Sequence, residues 1–233
     1  DNISLETYRN LQTRFNEKDI PVYVELILGL PGETVESWKK GIDDCLLNAG
    51  GKVSLFIYLT QILPNTEMAD PAYREKHGIK TRHIKLAEIH GSCRDADWVD
   101  EYEEIVVETA SMPHADWREM CKFSWMTMFL HSMKAGFFVM AWLWDRHQIK
   151  PSEFIQHVLD NVGEPLRGEI ATWDALLDRM EVGGDRGQIL SDYGDIYWDV
   201  EEATLLRMSE DWTGFYIELA RLLGRFLAEL RAL

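Results

Sequence analysis

Two short β-rich runs separated by a single helical segment limit most strongly what this chain can fold into. Ile20-Pro-Val-Tyr-Val-Glu-Leu-Ile-Leu28 and Val53-Ser-Leu-Phe-Ile-Tyr-Leu59 are almost continuously apolar, the pattern of strands covered on both faces, as in parallel sheets. Between them Gly29-Leu-Pro-Gly-Glu33 makes a turn, Thr34 can cap a helix through about Ala49, and Gly50-Gly51 breaks it. Asn2 to Lys18 has a helical period, with Ser4 placed to cap it. Helix, strand, helix, strand is the repeating unit of a parallel α/β sheet. Two such strands neither close a barrel nor make a stable open sheet alone. Either later segments cover them, or the remaining strands lie on polypeptide outside these residues. The first residue is Asp1, which reads as a processed chain or a piece of something longer.

After Thr60 the pattern changes. Gln61 to Lys80 is loop-like, Thr81 to Glu88 reads as a short helix, and Glu103-Glu-Ile-Val-Val-Glu-Thr109 is a third strand. From Pro113 onward only helices are expected, at about 114–134, 136–147, 152–162, 168–181, 200–210 and 213–231. The last has one apolar stripe of Phe215, Leu219, Leu222, Leu223, Phe226 and Leu230. The organisation is an α/β portion, residues 1–112, followed by an α-helical portion, residues 113–233.

With 46% apolar and 27% charged residues, the 233-residue chain is globular rather than disordered. Its net charge of −16 is unevenly placed, with nine acids and one base in 95–119, and nine acids and two bases in 174–202. Such a chain gains nothing by displacing counterions from phosphate backbones, so nucleic acid is excluded as a direct partner. The acidic runs at 95–108 and 192–202 read as solvated faces. Cys45, Cys93 and Cys121 form no CxxC group and read as reduced thiols of a cytoplasmic protein. The most apolar stretch, Phe123 to Trp144, is interrupted by His131 and Lys134, and no membrane span is expected.

The strongest chemical signal is Glu25-Leu-Ile-Leu-Gly-Leu-Pro-Gly-Glu-Thr34. Gly29 and Gly32 permit close backbone approach, Pro31 stiffens the turn, and the following helix presents free N–H groups. The turn is either a plain βα connection or part of a ligand site, since strand C-termini build such sites in parallel folds. Glu25 lies inside an apolar strand, which calls for a salt bridge or a polar cavity. Alternation puts Tyr23, Glu25 and Ile27 on one face, and Ser54, Phe56, Tyr58 and Thr60 on the corresponding face of the second strand. One apolar and one partly polar face fit a barrel with a ligand cavity inside.

That segment, followed about 30 residues on by Ile62-Leu-Pro-Asn-Thr-Glu, resembles the radical S-adenosylmethionine enzymes. The stretch Glu101 to Met112, leading into Phe123-Ser-Trp125 and His131-Ser132, resembles the C-terminal part of the subgroup with a cobalamin-binding domain. The resemblance implies the last strands and helices of a partial, TIM-like (β/α)6 barrel followed by an α-helical domain. It implies S-adenosylmethionine, a [4Fe–4S] cluster and cobalamin in the intact protein, an iron–sulfur oxidoreductase or methyltransferase. The family's fifth-strand pattern, G-x-I-x-G-x-x-E, is matched by Ile27, which would pack against adenine, and by Gly29; Glu25 replaces its first glycine, and Gly32 stands where its acid belongs, with Glu33 one place late. Pro31 and Gly32 complete the loop, the backbone at Thr60 and Gln61 would lie beside adenine, and Glu25 and Tyr58 would line the substrate side.

The family's CxxxCxxC cluster motif is absent from these residues. The chain is therefore expected to be a C-terminal fragment whose partner is the missing N-terminal part of the same polypeptide, acting on a small molecule and inactive alone. No metal site is expected: His83, His90 and Cys93 would share a helix face only if that segment is helical, and they lack a further ligand. His131 reads as a core histidine, and the Trp- and Met-rich stretch 117–144 as core. Two other readings stand beside this one. One is a non-catalytic helical binding module with a small α/β docking platform; the other is a hydrolase or transferase using Glu25 or Glu33 as general base.

Overall fold

The computed structural model of the chain describes residues 4–48, 53–93 and 98–232. Helix α1 (Leu5–Asn16) starts at Ser4, whose hydroxyl accepts the Thr7 N–H at 3.1 Å. Strand β1 (Tyr23–Leu28), helix α2 (Val35–Asn48) and strand β2 (Ser54–Leu59) follow as expected. Thr34 Oγ1 accepts the Ser37 N–H at 3.1 Å and opens α2. Asp1 and the Gly50-Gly51 break lie outside the described residues. β1 and β2 are parallel, with Tyr23 opposite Ser54, Glu25 opposite Phe56 and Ile27 opposite Tyr58.

The next segment departs from the sequence reading twice. Helix α3 (Pro71–His77) forms where a loop was expected, because Asp70 accepts the N–H groups of Ala72 at 2.8 Å and Tyr73 at 3.1 Å and Pro71 occupies the first helical turn. Residues 81–88, expected as helix, instead hold strand β3 (Lys80–Lys85), antiparallel to strand β4 (Tyr102–Glu108). Polar side-chain pairs accompany the ladder. Lys80 meets Glu108 at 2.6 Å, and the Thr81 hydroxyl meets Glu104 at 2.7 Å. Arg74 of α3 forks onto the same Glu104 at 2.5 and 2.9 Å. Ile84 supplies the buried face.

The two strand pairs are joined just past β2. Val106 N–H donates to Thr60 O at 2.9 Å, and Ile62 N–H donates to Glu104 O at 2.8 Å. The third expected strand is thus confirmed as β4, attached antiparallel to the chain leaving β2. The fold is mixed α/β and mostly helical, and the described strands close no barrel.

The helices beyond Pro113 follow the sequence pattern closely: α4 (His114–Thr127), α5 (Phe137–His147), α6 (Pro151–Asn161), α7 (Leu166–Glu181), α8 (Val200–Ser209) and α9 (Trp212–Arg231). α4 continues into a wider π turn, Met128–Ser132, that lies along the outer edge of β2. There the Ser132 hydroxyl accepts the Leu55 N–H at 3.1 Å and donates to Leu55 O at 2.7 Å, and Met128 Sδ accepts the Ile57 N–H at 3.2 Å. Side chains thereby replace a neighbouring strand. α2 is tied in as well, through Trp38 Nε1 to Ser124 Oγ at 3.1 Å and through Ser152 N and Oγ to Asp43 at 2.9 and 2.6 Å. Leu28, Trp38, Ile42 and Leu55 belong to the same buried cluster as Trp117, Phe123, Phe129 and Phe215. The 117–144 stretch is largely core as expected, with Trp117, Trp125, Met126, Met128 and Met140 buried, and His131 packs 5.3 Å from the Phe137 ring. Among the described residues no helix is long and apolar enough to cross a membrane.

The Ser132 bridge supplies a direct test of this packing. Ser132→Ala leaves both Leu55 polar groups without a partner and is expected to lower unfolding free energy by about 1–3 kcal/mol. Urea unfolding followed by tryptophan fluorescence measures this, and an unchanged midpoint would remove the bridge from the account.

Candidate binding cleft

Because paired residues of parallel strands point the same way, Val24, Leu26 and Leu28 face the helices together with Leu55, Ile57 and Leu59. Tyr23, Glu25 and Ile27 stand on the opposite face and are exposed. That face forms one wall of a cleft of about 580 Å³ whose lining includes Glu25, Ile27, Tyr58, Thr60 and Gln61. Leu30, Leu63, Met68 and Ile105 make its apolar surface, and Glu103 and Arg186 add charge. Five residues singled out in the sequence thus meet in one place. Gly29, Pro31 and Gly32 do not line it; they form the turn at the end of β1.

The turn is fixed by its neighbours. Gly29 has φ +103°, and a Cβ there would sit 3.4 Å from Thr60 Oγ1 and 3.6 Å from Val106 O. Gly32, at φ +92°, donates its N–H to Ser111 Oγ at 3.0 Å. Both positions lie where a side chain strains the backbone. Thr60 is buried and fully engaged. Its N–H and hydroxyl donate to Leu28 O at 2.9 and 2.8 Å, while its carbonyl accepts from Val106. Gln61 sits opposite Ile105 at a non-hydrogen-bonded position, so its N–H and C=O face away from β4. Glu25 forms no ion pair among the described residues, so the salt bridge considered for it does not form there. Glu33 accepts from the Ser37 hydroxyl at the start of α2.

A second pocket of about 240 Å³ adjoins the cleft and shares Tyr58 and Arg186 with it. Ile89 and His90, Met128, and the first turn of α8 complete it. Glu201 is 5% exposed, and its Oε2 has no hydrogen-bond partner among the described residues. Burial first, then the Asp199 and Glu202 carboxylates, push its carboxyl up to about 8. Its neighbours are paired: Arg186 Nη1 lies 3.3 and 3.4 Å from the Asp199 oxygens, and His90 Nε2 lies 2.7 Å from Glu202 Oε2. Burial and the Glu25, Asp199 and Glu201 carboxylates also raise the Tyr58 phenol.

These findings correct the reading of 192–202 as a solvated face: tertiary contacts bury Glu201 inside it. His83 lies on β3 and His90 in a turn at φ +64°, so they share no helix face with Cys93. Among the described residues no group of three or more His, Cys, Asp or Glu could hold a metal. The cysteines do not fit the ligand set of a [4Fe–4S] cluster either: Cys45 on α2 is hydrogen-bonded with Tyr8, Cys121 on α4 is fully buried with its thiol pushed up by burial, and Cys93 stands apart.

Sequence comparison places this geometry in context. The chain is 35% identical over 161 residues to the cobalamin-dependent radical SAM methyltransferase TokK of Streptomyces tokunonensis, a match over 68% of the chain. It is 32% identical over 164 residues, 70% of the chain, to the 2-(S-pantetheinyl)-carbapenam-3-carboxylate methyltransferase of Streptantibioticus cattleyicolor. The match spans only 23% of the length of each relative. No protein-family model matches the chain.

The buried carboxyl makes stability depend on pH in a defined direction. Glu201 keeps its proton in the folded chain up to about pH 8, whereas unfolded it ionises near its ordinary 4.5. Folding therefore binds the extra proton between those values, and this contribution to stability falls as pH rises through that window. Glu201→Gln removes the dependence, so its melting temperature should exceed that of the parent chain by clearly more at pH 8 than at pH 5. Equal differences at both pH values, by scanning calorimetry, would show that Glu201 is not held protonated.

Proposed function

We propose that the chain, similar over 68–70% of its length to cobalamin-dependent radical S-adenosylmethionine methyltransferases, is the C-terminal part of such an enzyme and forms its adenine-side wall and part of its substrate pocket. In this reading residues 1–112 are the end of a partial (β/α)6 barrel, residues 113–233 are the helical domain packed on it, and the catalysed reaction is methyl transfer to a small molecule. The observation that carries it is the convergence of Glu25, Ile27, Tyr58, Thr60 and Gln61 on one cleft beside the Gly29–Gly32 turn.

Each group has a part that its surroundings support. Ile27 offers an exposed apolar face of β1, suited to an aromatic base. Gly29, at φ +103°, lets the loop pass close to Thr60, and the three bonds of Thr60 keep the wall rigid. Gln61 keeps backbone groups free of β4, as a base-edge contact requires. Glu25 and Tyr58 stand on the same open face and orient the substrate. S-adenosylmethionine, the [4Fe–4S] cluster and cobalamin supply the methyl group and the radical chemistry in the intact enzyme, and the ligands of the cluster come from residues outside this chain. The chain alone is then a binding wall without catalytic activity.

Two measurements test this. Reconstituted by itself, the chain should hold no stoichiometric iron and release no 5′-deoxyadenosine from S-adenosylmethionine under reduction. Within a longer polypeptide bearing the CxxxCxxC motif, Ile27→Asp should weaken S-adenosylmethionine binding at least tenfold, about 1.4 kcal/mol, without unfolding an exposed strand position. A paramagnetic cluster in the isolated chain, or unchanged affinity in that variant, refutes the reading.

A further inference from the structure

Among the described residues three glutamates are buried, and of these Glu201 alone has a carboxyl oxygen without a hydrogen-bond partner. Glu169 accepts from the Arg207 guanidinium at 2.6 and 2.7 Å and from the Thr204 hydroxyl at 2.9 Å. Glu218 accepts from Arg221 at 2.6 Å and from the Gly163 N–H. Glu201 is buried as deeply, yet its Oε2 has no partner among the described residues and it lines the 240 Å³ pocket. A buried polar group without a partner costs on the order of 1–3 kcal/mol. Such a cost persists where a function uses the group.

The charges around that pocket say what would relieve it. Asp199 and Glu202 flank Glu201 on the first turn of α8; Arg186, preceding that helix, is turned to Asp199, and His90, from the turn after β3, to Glu202. Tyr58 enters from β2, with Glu25 of β1 beyond it. Three acidic residues therefore line a space in which both basic side chains are already taken. An anion placed there would meet Asp199 and Glu202; a cation would meet an acid ready to give up its proton.

We propose that this pocket is a subsite for a cationic nitrogen, a protonated amine or amidine on a small molecule lying in the adjoining cleft, with the Glu201 carboxyl as its buried partner. The identity of that molecule as a substrate rests on the reading of the larger cleft given above; the cation subsite itself does not. Binding exchanges charge in a balanced way: the ammonium group and the Glu201 carboxylate form an ion pair, and the proton formerly on Glu201 leaves to solvent. Arg186, common to both pockets, stays paired with Asp199 at the boundary between them.

The probes are propylammonium, n-propanol and butyrate, matched in length and differing in charge. With glutamate side chains ¹³C-labelled at the carboxyl, the Glu201 resonance of the full chain is followed against pH at fixed ionic strength. Propylammonium is expected to lower the apparent Glu201 pKa from about 8 toward the ordinary carboxylate range, while the alcohol and butyrate leave it in place. Glu201→Gln should weaken propylammonium binding, followed on Tyr58 and His90 signals, at least tenfold. A Glu201 signal indifferent to propylammonium, or one that follows propanol or butyrate equally, overturns the proposal, as does full affinity in the variant. The three-probe comparison on the unaltered chain decides the matter even if the variant fails to fold. None of these measurements needs S-adenosylmethionine or a cluster, so the subsite can fail while the family reading stands, and the reverse.

Discussion

The Leu28 carbonyl is the point on which the rest of the architecture depends. It receives the Thr60 N–H and the Thr60 hydroxyl together, which closes the C-terminal end of the parallel pair. Thr60 in turn gives its own carbonyl to Val106, so the place where β4 joins is set by the same residue. The chain leaving β1 must then turn directly over Thr60. The turn takes φ +103° at position 29, a conformation that L side chains rarely adopt, and glycine there follows from this geometry.

The helices complete what two strands cannot do alone. A parallel pair buries its apolar face only if something covers it, and here α2, α4 and the π turn do so. The Ser132 and Met128 contacts replace a neighbouring strand on one edge of β2, and Asp43 and Trp38 lock α2 to α6 and α4. Residues on both sides of position 113 share one buried cluster. A helical binding module with a small α/β docking platform would therefore have platform and helices packed into one core.

Most of the fold could be read from local pattern. The apolar runs gave β1 and β2, the period of 3.6 gave the helices after Pro113, and Ser4 and Thr34 stand where their capping chemistry put them. What escaped depended on contacts distant in the chain. β3 is a strand through its ladder with β4, and nothing within Thr81–Glu88 itself announces that partner. α3 did carry a signal, Asp70-Pro71, within a stretch whose prolines and asparagine suggested a loop. In the site, strand alternation was enough to group Glu25, Ile27 and Tyr58. Glu201 was not legible, because Asp199-Val-Glu-Glu202 has the look of an ordinary acidic first turn at the start of an exposed helix. The approach of β2, the Ile89–His90 turn and the π turn at Met128 makes that position interior.

The same geometry bears on whether the α/β portion could work as a self-sufficient hydrolase. A general base needs a nucleophile or water in reach and a third group to orient it. Glu33 is engaged by the Ser37 hydroxyl at the outer end of α2, outside the cleft lining. Glu25 stands on the open face of β1 with no ion pair among the described residues, and the side chain opposite it in register is Phe56. The rigid parts of the cleft are backbone turns and an apolar strand face, while its polar groups are spread along one wall. Under the reading proposed above, such an arrangement would position a ligand and leave bond-breaking to groups brought in by other residues, the division of labour expected of one wall of a larger enzyme.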